Sequence, residues 1–141
     1  MRAEGGSRRH QALQLRDSAD LLIAGLKGLR KVLVRRARQH KHTPQIGRSH
    51  GVEAEPITFG LKLALWVAEL DRDLERLQAA RKTVAVGMIS GAVGTYSKID
   101  PRVETLACNI LGRAPDPASN QTQSRDRLAE FMATLATVGS S

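Results

Sequence analysis

The sequence predicts an all-α chain, a piece of a long-helix bundle, and three observations carry that expectation. Two stretches of roughly thirty residues place apolar side chains at helical spacing. No run alternates apolar and polar residues for long enough to make a strand. Aromatic residues are 3% of the chain, only Phe59, Trp66, Tyr96 and Phe131, so the core is left to Leu, Val, Ile and Ala, which suits helix-on-helix packing.

Taken in order, residues 1–10 are rich in Gly, Ser and Arg without periodicity and read as a disordered leader. From 11 to 40, Leu15, Ala19, Leu22, Leu26, Leu29 and Leu33 recur in steps of four and three, a heptad stripe on a helix of about 45 Å. Gly25 and Gly28 weaken that helix, so it needs packing partners, and they leave room for a neighbouring helix. Residues 42–55 follow as a loop with Gly47 and Gly51 as hinges. Pro56 is expected at the first turn of a second helix reaching about residue 86, with Phe59, Leu63, Trp66, Leu70, Leu74, Leu77 and Val84 on one side. Residues 87–100, punctuated by Gly87, Gly91 and Gly94, form a second irregular stretch. Asp100 and Pro101 read as the N-cap and first position of a short helix that Gly112 ends. Pro115 and Pro117 stiffen a linker over 113–120. A last helix begins near 121–124 and carries Leu128, Phe131, Met132, Leu135 and Val138.

At 141 residues the chain is one domain at most. Its net charge of +8 is uneven: residues 1–42 hold 11 Lys/Arg against 3 Asp/Glu, and the remainder balances. The basic excess is the one support for a nucleic-acid-binding helical module. Against that module, the same region keeps an apolar stripe for protein packing and holds no aromatic ring for base stacking. Cys108 is the only cysteine, which excludes an internal disulfide and suits a small core residue. Residues 21–26 are too short to span a bilayer, so no membrane partner and a cytoplasmic location are expected. No His/Cys/Asp/Glu grouping has metal-ligand spacing, so neither metal nor cofactor is expected. His10, His40 and His42 read as solvated members of the basic helix.

The stretch 43–56 fits neither helix nor strand periodicity. It concentrates Thr43, Arg48, Ser49 and His50 between two glycines and two prolines. Arg48 can pair with a carboxylate or phosphate in a bidentate fork, and His50 brings an imidazole, the side chain most used for acid/base chemistry. On these residues alone, a polar connection with a surface histidine competes with an anion pocket beside an acid/base group. The glycines of 87–100 divide similarly between a backbone cradle for an anion and a close-packed loop. Gln121, on its own, is a polar residue at a helix start.

The run Gly47-Arg-Ser-His-Gly-Val-Glu-Ala-Glu-Pro56, continued by Thr58-Phe-Gly-Leu-Lys62, resembles the second conserved region of the fumarase/aspartase superfamily. Within it the chain is most similar to the adenylosuccinate lyase family. Ser90-Gly-Ala-Val-Gly-Thr-Tyr96 and Gln121-Thr-Gln-Ser-Arg-Asp126 agree with this in order and spacing, and the resemblance runs from about Ala12 to the end. It implies an elimination that releases fumarate from adenylosuccinate, leaving AMP, and from a related succinyl ribotide of purine synthesis. It places His50 at the general-acid position, with Arg48 and Ser49 beside it, and aligns Gln121 with the substrate-binding glutamine. Ser49 stands where threonine is usual and keeps a hydroxyl. Glu53 stands where many relatives have histidine, and its carboxylate could oppose an anionic ligand. Arg125 and Asp126 are expected to form a surface charge pair.

The resemblance also implies a homotetramer whose sites draw on three regions from three subunits. The first region has no counterpart in residues 1–11, and the third, a serine-rich loop, is expected beyond residue 141. Residues 11–141 thus read as part of a central helical domain, catalytically incomplete alone. Another lyase of the superfamily, of argininosuccinate or carboxymuconate type, is the nearest competing identity.

Overall fold

The computed structural model describes residues 4–141. It contains four helices, α1 (Glu4–Gln39), α2 (Phe59–Val84), α3 (Pro101–Ile110) and α4 (Arg125–Gly139), and four short strands, β1 (Pro44–Ser49), β2 (Val52–Thr58), β3 (Val86–Gly87) and β4 (Ala114–Pro115). The chain is mostly helical, as expected. The expectation of a leader over residues 1–10 meets a structure in which α1 already runs from Glu4, while residues 1–3 lie outside the described part. Extending a nucleated helix costs far less than starting one, which lets α1 run back through a glycine-rich stretch.

The expected loop at 42–55 is instead an antiparallel hairpin, β1–β2, and this corrects the strand-free reading. Pro44 pairs with Thr58, Ile46 with Pro56, Arg48 with Glu53 and Ser49 with Val52, with an irregularity between Ile46 and Arg48. Pro56 therefore sits in β2 and not at a helix start; a residue without an N–H also suits a two-stranded ribbon, where few ladder bonds are required of it. At the irregularity, a Cβ on Gly47 would come within 2.7 Å of the Glu55 carbonyl oxygen, so the close backbone approach requires glycine.

The chain forms two compact units. In the unit of residues 22–75, Arg30 of α1 forms a two-pronged pair with Asp71 of α2. The base of the hairpin is sealed by backbone bonds from Phe59 to the Thr43 carbonyl at 2.9 Å and from Gly60 to the His40 carbonyl at 3.0 Å. The His40 ring meets Phe59 edge-on with centroids 5.1 Å apart. Ile23, Leu63 and Leu74 are buried here.

The other unit joins the start of α1 to residues 76–140. Its core is Ala12, Ala19, Leu77, Ala80, Val84, Val86, Cys108 and Phe131. Asp20 and Arg81 link α1 to α2 through two bonds, the longer 2.7 Å. β3 and β4 pair in parallel, Val86 with Ala114 and Gly87 with Pro115.

The apolar stripes differ from expectation in places. Along α1, Leu22 and Leu29 are about half exposed while Ala12, Ala19 and Ile23 are buried, and space beside Gly25 and Gly28 is open. A straight helix of 3.6 residues per turn drifts about 20° per heptad off a strict heptad stripe, so the buried positions do not follow that stripe throughout. Trp66 is half exposed, with the Lys62 ammonium 5.8 Å from its ring, and Met132 is exposed too.

Candidate active site

His50 and Gly51 are the two central residues of the turn between β1 and β2. Their φ angles are 52° and 77°, the pattern of the primed turns that match strand twist. Gly51 adopts this freely; His50 is one of only two non-glycine residues in the described chain with positive φ, a conformation in which histidine is enriched among side-chain-bearing residues. The turn leaves the imidazole exposed at the hairpin tip.

Arg48 and Ser49 precede it on β1, and strand alternation sends them to opposite faces. Arg48 faces Glu53 across the hairpin, guanidinium to carboxylate 3.9 Å, both side chains largely exposed. Glu53 thus shares a face with the candidate anion-binding cation. A ligand carboxylate at Arg48 would compete with Glu53 for the same fork.

Gln121 lies in the other unit, exposed, on the segment leading into α4. It lines a cavity of about 350 Å³ whose polar wall includes Arg113, Asp116, Gln123, Ser124 and Arg125, and whose apolar wall includes Leu15, Val84 and Leu128. Burial pushes the Arg113 guanidinium below its ordinary value, with the charge of Arg16 adding to the effect. Gln123 Nε2 is buried and meets no acceptor. Asp116 is buried and accepts from Arg127 at 3.1 Å, while Arg127 also donates to the Thr83 carbonyl. No pair forms between Arg125 and Asp126 among the described ion pairs. The Ser124 hydroxyl instead holds the Asp126 carboxyl below the usual carboxylate range, and Arg125 lines the cavity.

The 87–100 stretch is close-packed. Gly94, at φ 78°, lies so near the Ser119 carbonyl oxygen that any Cβ would collide with it. Ser90 is buried and shares a 2.8 Å hydrogen bond with the Ser119 hydroxyl. Glu104 of α3, buried, accepts from the Ile89 amide and from the Tyr96 hydroxyl at 2.6 Å. Glu104, Asp116, Arg127 and Gln123 were not singled out from the sequence. The only signal for them was position within or beside the second and third motifs. Burial raises the Cys108 thiol above its ordinary value, with Glu104 adding to it, as fits a core residue. Among the described residues no three His, Cys, Asp or Glu side chains gather as metal ligands, and no helix is long and apolar enough to cross a membrane.

A family model described as lyase matches residues 10–141. The chain is 52% identical over 130 residues to the adenylosuccinate lyase of Synechocystis sp., covering 92% of this chain and 30% of that protein. It is 50% identical over 127 residues to the adenylosuccinate lyase of Bacillus subtilis, covering 90% and 30%. Of solved structures, fumarate lyase from Mesorhizobium sp. matches with a TM-score of 0.85 and 32% identity, over 98% of this chain and 33% of that one. The 3-carboxy-cis,cis-muconate lactonizing enzyme from Pseudomonas putida matches with a TM-score of 0.79 and 36% identity, over 91% and 30%. The chain spans 30% of the length of the curated relatives named here.

Proposed function

The chain belongs to the lyase family whose model it matches from residue 10 to residue 141, and from that premise we propose that it serves in an adenylosuccinate lyase. The reaction is loss of fumarate from adenylosuccinate, leaving AMP, and from the related succinyl-carboxamide ribotide of purine biosynthesis. The observation that carries this is the hairpin tip: His50, held by a primed turn and exposed, in a chain 50% identical or more to curated adenylosuccinate lyases.

In the proposed step a base removes a proton from the succinyl carbon next to a carboxylate. The electron pair forms the fumarate double bond as the carbon–nitrogen bond breaks, and His50, as imidazolium, protonates the departing nitrogen. The negative charge that builds on the succinyl carboxylate calls for hydrogen-bond donors and cations. Gln121 suits that task through its amide N–H, and Arg48 and Ser49 through their guanidinium and hydroxyl. No step requires a metal or cofactor. Residues 11–141 would form part of the central helical domain of a cytoplasmic homotetramer, and the base would come from a region other than this one. The 141-residue chain by itself is then expected to turn over nothing.

The muconate-type likeness gives a second reading, favoured by the 36% identity and TM-score of 0.79; the 52% identity over a similar span favours adenylosuccinate. The test mixes the chain with a full-length adenylosuccinate lyase whose own histidine at the matching position is replaced. Fumarate release from adenylosuccinate, with neither argininosuccinate cleaved nor a carboxymuconate lactone opened, supports the proposal. Turnover of either other compound in preference would replace it, and turnover by the chain alone would refute its incompleteness.

A further inference from the structure

The second motif, Ser90 to Tyr96, has no role in the chemistry proposed above, yet it is tied to a buried acid. Glu104 is 1% exposed. A buried carboxylate is costly unless its oxygens are hydrogen-bonded, and Glu104 uses one oxygen for the Ile89 amide and the other for the Tyr96 hydroxyl. These bonds grip both ends of the 89–96 stretch. Tyr96 is held at φ 54°, a conformation that a bulky side chain keeps only when its surroundings enforce it, and its amide donates to the Ser90 carbonyl at 2.9 Å.

The same stretch in turn grips the segment that precedes α4. Ser90 bonds the Ser119 hydroxyl, and Gly94 is packed against the Ser119 carbonyl. Gln121 follows just after. On its other flank the segment is fixed by the Asp116 amide, which donates to the Gly87 carbonyl at 2.8 Å, and by the Asp116–Arg127 pair.

We propose that Glu104 is a positioning residue: through the 89–96 stretch it fixes the backbone at Ser119 and so presents the Gln121 amide to the cavity it lines. The value of this placement to the enzyme rests on Gln121 as a substrate contact, as proposed above; the clamp itself does not.

The experiment is hydrogen exchange on the intact chain, with Ser90→Ala and Glu104→Gln. Each removes hydrogen bonds while preserving shape, so the Tyr96 and Thr122 amides, which donate to the Ser90 carbonyl and the Asn120 side chain, are expected to exchange about fivefold faster, with amides 44–58 of the hairpin unchanged. Tyr96 is the only tyrosine, so phenolate absorbance reads it alone. Its hydrogen bond to Glu104 raises it above the ordinary value. Glu104→Gln is expected to lower that titration and Ser90→Ala to leave it. Unchanged exchange at Tyr96 and Thr122 in both variants, acceleration spread evenly over the chain, or a tyrosine titration indifferent to Glu104→Gln would each overturn the clamp. None of these readouts needs turnover, so their failure would leave the assignment of Gln121 standing, and a failed activity assay would leave the clamp standing.

Discussion

In the β1–β2 hairpin, Arg48, Ser49 and His50 are all exposed, and backbone pairing plus a primed turn fix where they point. Around Gln121 the fixing is done by buried polar groups, Glu104, Ser90 and Asp116, each with a partner from another segment. The difference separates stability from chemistry. Hairpin side chains can be exchanged with little effect on folding, because they touch little. The groups behind Gln121 cannot, because each is buried and depends on its partner.

The largest effect expected from this contrast is that of Arg127→Met. It leaves the Asp116 carboxylate, 3% exposed at its side chain, without its cation, and should cost about 3–5 kcal/mol in urea denaturation. A loss under about 1 kcal/mol, the size of a surface pair, would erase the contrast. Next come two glycines with positive φ. Gly94→Ala adds a collision with the Ser119 carbonyl to the backbone strain and should cost about 2–3 kcal/mol. Gly51→Ala meets open space and carries strain alone, about 1 kcal/mol. Equal losses would mean that the 89–96 stretch can yield.

A smaller effect is the acid limb of stability. Hydrogen bonding from Arg81 holds Asp20, and from Arg30 holds Asp71, below the usual carboxylate range, one aspartate in each compact unit. A depressed carboxylate stabilises the fold above its unfolded value, near 4, and that contribution is lost as pH falls through the folded value. Stability should therefore decline below about pH 4, and Asp20→Asn should flatten the decline measured by thermal melts between pH 2 and 5. The smallest is Arg48→Ala, whose exposed 3.9 Å pair should be worth less than about 0.5 kcal/mol, with any functional loss appearing as weaker substrate binding.

Local signals were the legible ones. Asp100 caps α3 by accepting from the Arg102 amide at 2.8 Å, Pro101 opens it, and Gly112 follows its end at φ 62°, all as read from adjacent residues. The hairpin was hidden because both strands are mostly exposed, so no apolar alternation marks them, and because its turn is His-Gly where Asn-Gly would have been the clear signal. Pro56 misled since its missing N–H fits a helix start and a ribbon strand equally. The true start of α2 at Phe59 is set by a bond to Thr43, sixteen residues upstream, which no local pattern encodes. Of the candidate functional residues, His50, Arg48 and Ser49 in one unit and Gln121 in the other stood out through their motifs. Glu104 did not, because an acid's burial depends on partners eight and fifteen residues away along the chain.

The central claim is that His50 is this chain's acid. Its most direct test is the rate of fumarate release from adenylosuccinate by the mixed assembly containing wild-type or His50→Asn chain. Asparagine tolerates the positive φ of the turn, so the hairpin persists while the proton donor is lost. The rate is expected to fall by about 100-fold or more with unchanged melting of the chain. A His50→Asn assembly as fast as wild type would contradict the account.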